Sequence, residues 1–166
     1  KANAYGHGLW RMAEAVREVA DGFAVLEVET AAALREAGYQ QPILMLEGFF
    51  SPRDLAMIEA LHITTAVHCQ EQLDAILKHG KPLPGGVYLK MNTGMNRLGF
   101  TAKDFSGALA ALQQVPGLSV TLMNHFAEAD GERGIGEQLD RFKAMSGGGT
   151  GPAGLANPPA GLPPPP

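Results

Sequence analysis

Four side chains stand where chemistry could be done. Lys1 opens the run Lys1-Ala2-Asn3-Ala4-Tyr5-Gly6-His7-Gly8, just before the first helical pattern. A lysine at the mouth of a strand can form a Schiff base with a carbonyl cofactor. Gly6 and Gly8 allow close backbone approach, the helix start at Leu9 can favour an anion, and Tyr5 could hydrogen-bond a phosphate. The plainer reading of Lys1 is a solvated loop lysine. Lys90 sits inside the apolar run Val87-Tyr88-Leu89-Lys90-Met91, and Arg97 follows in a loop bounded by Gly94 and Gly99. A lysine pointing into a core needs a partner or a shifted pKa. Its alternative is a packed stem with the head in water. Arg97 stays charged and planar, which suits recognition of an oxyanion. His125 follows Leu122-Met123-Asn124, where a lone histidine can equally be structural. Asp130 and Glu132 read as a solvated loop, and the histidines show no ligand spacing, so no metal is expected.

These residues need elements to hold them, and the chain supplies an alternation. Leu9 to Ala20 puts Leu9, Met12, Ala13, Val16 and Val19 on one helical stripe. Helices are predicted over 29–37, from the Ser51-Pro52 cap to about Leu61, and over 71–78, 101–114 and 136–145. Short apolar strands are predicted over 23–26, 43–46, 63–67, 86–91 and 118–123. Runs of this kind suit strands buried on both faces. Strict alternation implies a parallel α/β sheet with right-handed crossovers. No Gly-x-Gly-x-x-Gly follows a strand, so the regular repeat favours a partial (β/α)8 TIM barrel over a doubly wound sheet. In such a barrel Lys1, Lys90, Arg97 and His125 fall at the C-terminal strand ends, where barrel chemistry is done.

Composition narrows the classes. The 166 residues hold 13 Lys plus Arg against 17 Asp plus Glu, a formal charge of −4. Such a chain is a poor electrostatic partner for nucleic acid. One cysteine, Cys69, excludes an intramolecular disulfide framework. No apolar run reaches the ~18 residues of a transmembrane helix, and no leader is visible, which predicts a cytoplasmic protein. Two domains of unlike character are expected. Residues 1–145 form the partial barrel, and residues 146–166 form a Gly/Pro-rich, aberrant or disordered tail. All the charged side chains lie before the tail. The missing Met and the start inside a motif predict truncation at both ends.

The runs KANAYGHG, LKMNTGMNRLGF and MNHFAEAD, in that order at strand ends, resemble the bacterial alanine racemases. FAVLEVETAAALREAG and PILMLEGFF are similar to the catabolic branch of that family. The resemblance covers about residues 1–145. It implies a pyridoxal 5′-phosphate (PLP) enzyme that interconverts L- and D-alanine through a cofactor-bound substrate and two-base proton transfer. Lys1 then matches the lysine that holds the cofactor as an aldimine and serves as one base. Tyr5 matches a phosphate contact, Arg97 the arginine on the phenolic oxygen, and His125 a histidine beside the pyridine ring. Lys90 matches a lysine that several members carbamylate to orient the arginine. Asn157 lies in Gly154-Leu155-Ala156-Asn157-Pro158, where the family has a phosphate-binding Asn-Ser; Pro158 lacks the hydroxyl and the N–H. The resemblance also implies a homodimer whose second base comes from outside this chain, and a fragment inactive by itself. It leaves open whether the D-alanine serves the cell wall or the reaction is catabolic. A broad-specificity amino-acid racemase and a non-catalytic PLP-carrier protein remain as alternatives.

Overall fold

The computed structural model describes residues 1–147. The tail beyond them, with Asn157, lies outside the described residues. Five strands carry the fold: β1 (Phe23–Val25), β2 (Ile43–Met45), β3 (Thr64–Val67), β4 (Val87–Met91) and β5 (Val120–Asn124). All neighbours are parallel and the order is β1-β2-β3-β4-β5. A doubly wound sheet reverses its order at a switch point. This one does not, so the sheet is a run of consecutive barrel strands.

The helices are α1 (Ala2–Tyr5), α2 (Leu9–Ala15), α3 (Val28–Glu36), α4 (Asp54–Ala60), α5 (Gln70–His79), α6 (Ala102–Gln113) and α7 (Gly136–Met145). Each of α3 to α6 follows a strand and precedes the next, as the alternation predicts. Strand residues Ile43, Met45, Ala66, Val67, Leu89 and Met91 are buried, but only β3 is buried along its whole length; Ala24 of β1 is exposed and β5 is half-buried after Val120. Leu34, Ile58, Ile76, Phe105 and Leu112 close the core from the helical side. The four residues of β3 are all buried, which explains why the Thr64 hydroxyl donates a hydrogen bond to the Gly85 carbonyl at 2.7 Å.

Three elements differ from the sequence reading. The first helix stops at Ala15 rather than Ala20, and Val19 is 79% exposed instead of lying on an apolar stripe. The segment after Ala15 is recruited elsewhere. Arg17 stacks its guanidinium 4.2 Å from the Tyr39 ring centroid, and its carbonyl accepts from Gln41 at 2.6 Å. Helix α4 starts at Asp54, not at Pro52, because the Asp54 carboxylate accepts the N–H groups of Phe50 and Ser51. The loop after Lys1 is a single left-handed turn, with φ near +50° from Ala2 to Tyr5. It is closed by Tyr5 N–H on the Lys1 carbonyl at 3.0 Å. Among the described residues no helix is long and apolar enough to cross a membrane.

Candidate active site

The C-terminal ends of the strands bring charges together. Lys90 lies in β4 beside Met123 of β5 and is 5% exposed. Burial pushes its ammonium pKa below the ordinary range, Arg97 lowers it further, and Glu47 partly opposes them. His125 follows β5 by one residue and is exposed. Its imidazole is also held below its usual value, first by partial desolvation and then by Arg97, Lys90 and Lys1. The three cations are therefore close enough to His125 for each to act on it. Sequence motifs separated by as many as 124 positions meet here, because parallel strands align their C-terminal ends.

Each predicted residue has a distinct setting. Lys1 is exposed, with its ammonium 5.4 Å from the Tyr5 ring centroid. Tyr5 is 72% exposed at the rim, with its hydroxyl free of protein partners among the described residues. Arg97 is exposed and has no ion pair among the described residues. A cavity of about 520 Å³ opens beside Lys1, between the N-terminal segment and β1. Its walls include Tyr5, Met12, Val16, Phe23 and Val25. It does not take in Lys90, Arg97 or His125, so the meeting of the charges marks the site better than this cavity does.

Supporting residues emerge that the sequence reading passed over. Gln72 is buried at 5% exposure and clamps the β2 exit. Its amide donates to the Glu47 and Phe49 carbonyls at 3.1 Å each, and its oxygen accepts the His68 N–H at 2.9 Å. His68 Nε2 lies 2.9 Å from the Glu47 carbonyl; a carbonyl only accepts, so that nitrogen carries the proton. The clamp fixes the backbone at Glu47, the one carboxylate acting on Lys90. Gly48, at φ +74°, is the sequence signal: a Cβ there would run into the Gln72 amide and the Ala66 carbonyl.

On the other side, Thr93 donates its hydroxyl to Asn124 Oδ1 at 2.9 Å, joining the exits of β4 and β5. Arg141 of α7 donates to the Thr93 carbonyl at 2.8 Å. Gln138 of α7 bonds both the N–H and the carbonyl of Ala127, at 3.0 and 2.8 Å. Helix α7 thus braces both loops. The Asn124 side-chain amide nitrogen is buried without a partner. Such a donor is costly to leave unmet.

The arrangement offers a cationic cluster only partly offset by Glu47, a buried strand amine whose pKa is lowered, and an accessible primary amine. Together these suit an anionic ligand that carries a carbonyl.

Comparison with known proteins gives the family. The model for the alanine racemase N-terminal domain matches residues 1–159, which runs past the residue-145 limit of the sequence resemblance. The chain is 47% identical over 158 residues to an alanine racemase of Polaromonas naphthalenivorans, covering 95% of this chain and 43% of that protein. It is 46% identical over 158 residues to one of Ralstonia nicotianae, covering 95% and 42%. Among solved structures, the biosynthetic alanine racemase of Pseudomonas aeruginosa superposes with a TM-score of 0.80 at 37% identity, covering 87% of this chain and 41% of that one. The enzyme of Acinetobacter baumannii gives 0.79 at 31% identity, covering 87% and 41%. The chain spans about two fifths of the length of the relatives it matches. With a consecutive parallel sheet, motifs that meet at its C-terminal ends, and a family match over most of its length, the chain belongs to the alanine racemase N-terminal domain family.

Proposed function

We propose that this chain is the cofactor-bearing part of an alanine racemase, acting on alanine in the cytoplasm as one subunit of a homodimer. One observation carries the reading: Lys90 with the Arg97 loop, and His125, stand at the C-terminal ends of the neighbouring parallel strands β4 and β5, in a chain whose residues 1–159 match the alanine racemase N-terminal domain. The donor set fits PLP, which is an anion with a carbonyl and a phenolic oxygen. When bound, PLP supplies the electron sink that makes the α-proton of an amino acid removable. Lys1 supplies the amine that holds the cofactor, and then moves the α-proton on one face of the substrate. Arg97 directs a fixed cation at the phenolic oxygen, and Tyr5 offers a hydroxyl to the phosphate. The lowered pKa of His125 disfavours its imidazolium form, so it can lie against the ring with less added positive charge. The lowered pKa of Lys90 enlarges its neutral fraction, the form that adds carbon dioxide and loses a proton to become a carbamate. That group would accept hydrogen bonds from Arg97 and turn a buried cation into a partner for it.

The loop from Asn92 to Gly99 favours the racemase over the carrier-protein reading, because the carriers lack the NTGMNRLGF run. The test joins this segment to the further residues its relatives carry. PLP should then give a visible absorption band that Lys1→Ala abolishes, with D-alanine formed from L-alanine only by the unaltered protein. A folded, complete protein that shows no band with PLP would remove the cofactor and the racemase reading together.

A further inference from the structure

We infer that Asn92 is the positioning residue that aims Arg97. The loop leaves β4 at Asn92 and returns at Phe100, and its two ends are stitched to the strand. Phe100 N–H donates to the Lys90 carbonyl at 2.8 Å, and Asn92 N–H donates to the Phe100 carbonyl at 2.9 Å. Gly99 passes so close to Met91 and Asn92 that a Cβ would lie 2.7–2.9 Å from their backbone. The loop base is therefore fixed; Arg141 and Asn124 hold the loop at Thr93 from outside, and within the loop one side chain ties the stretch that leads to Arg97. Asn92 Oδ1 accepts the N–H groups of Gly94 at 3.2 Å and Asn96 at 3.0 Å. Asn92 Nδ2 donates to Asn96 Oδ1 at 3.1 Å.

Asn96 is the residue that turns the chain towards Arg97. It stands at φ +57°, in the left-handed region that few residues besides glycine and asparagine adopt readily. Two of the three bonds from Asn92 hold that residue. Arg97 comes next, with no ion pair or hydrogen-bond partner for its guanidinium among the described residues to hold it from the far end. Its direction is therefore set from behind, through Asn96 and Asn92.

The inference rests on the racemase reading for what Arg97 does, but not for how it is held. The test uses the full-length protein, with and without PLP, and the variants Asn92→Ala and Asn92→Asp. Aspartate keeps the two accepted bonds, and the Asn96 amide can rotate to supply the third. Asn92→Ala should speed hydrogen exchange at the Gly94 and Asn96 amides by about tenfold, the scale of one net hydrogen bond. It should also let the NMR titration midpoint of His125 rise, because Arg97 is a cation that holds it down. Racemisation should lose about tenfold in kcat with the PLP band retained, and Asn92→Asp should restore most of it. Unchanged exchange and an unchanged His125 midpoint in Asn92→Ala would overturn the inference. So would a general loss of folding that Asn92→Asp does not repair. A wild-type protein that binds no PLP would instead sink the functional reading, while the exchange and NMR results would still decide the role of Asn92.

Discussion

Lys90 carries a desolvation cost that its neighbours do not remove. Its folded pKa lies below its unfolded one, so the sign of the pH effect is fixed. Below the folded value both states are protonated, and the cost is fully present. As pH rises through that value the folded state loses its proton first, and stability increases. Above the unfolded value of ~10.4 the cost is gone. Lys90→Met in carbonate-free buffer should therefore raise the urea midpoint at neutral pH, by an amount that shrinks as pH climbs through that window. A constant or absent gain would show that the head already reaches water. His125 gives a second reading of the same charges. Its NMR midpoint should lie below ~6.5 and rise in Arg97→Gln, since a removed cation no longer opposes protonation. The strand-end placement of Lys90 and His125 was legible in the sequence, because the apolar runs around them mark the strands; the roles given to Lys1, Lys90, Arg97 and His125 come from the resemblance and stay proposals. Glu47, Gln72 and Asn92 were not legible. Their value lies in backbone groups they hold or charges they face, and neither leaves a pattern along the chain.

At the scale of elements, the strands were the clearest and the helix ends the least clear. Apolar runs such as Ile43 to Met45 have no other place to go than the middle of a sheet. The stretch from Val16 to Ala20 has a helical pattern but continues as hydrogen-bonded turns rather than regular helix, where the Arg17 carbonyl accepts from Gln41 and its guanidinium stacks on Tyr39. The left-handed turn from Ala2 to Tyr5 could not be foreseen either, since alanine at positive φ costs about 1–2 kcal/mol per residue. Loops between elements are tied by single side chains. Arg35 of α3 donates to the Leu61, Tyr39 and Gln41 carbonyls at 3.0, 2.8 and 2.8 Å. Arg35→Met should destabilise the fold by about 2–3 kcal/mol in chemical denaturation, since bonds to a charged donor are lost at three buried or half-buried carbonyls. Gly48→Ala should cost a similar ~1–3 kcal/mol from positive φ and the clash with Gln72. A Gly48→Ala protein with unchanged stability would mean that the Gln72 clamp yields easily.

The described residues form a strip of barrel wall. Among the described residues, β1 and β5 each have a neighbour on one side only. Unpaired edges of this sort are templates for pairing with another chain. The 166-residue chain by itself should associate as its concentration rises, and Ala24→Lys, at the one exposed residue of β1, should reduce that association in sedimentation velocity. The strand repeat of about 20 residues made the architecture legible, and only the observed order excluded the doubly wound alternative.

The convergence of Lys1, Lys90 and Arg97 on His125 has a kinetic consequence. The chain as a whole is acidic, at −4, so a distant anion meets no net attraction. At physiological salt the screening length is about 8 Å, and beyond it the two signs fade together. Within it the exposed cations Lys1 and Arg97 dominate, and the strand ends act as a short-range funnel. Capture of a small dianion should thus slow as salt is added, while its release changes little. The mouth of the barrel meters entry by proximity alone.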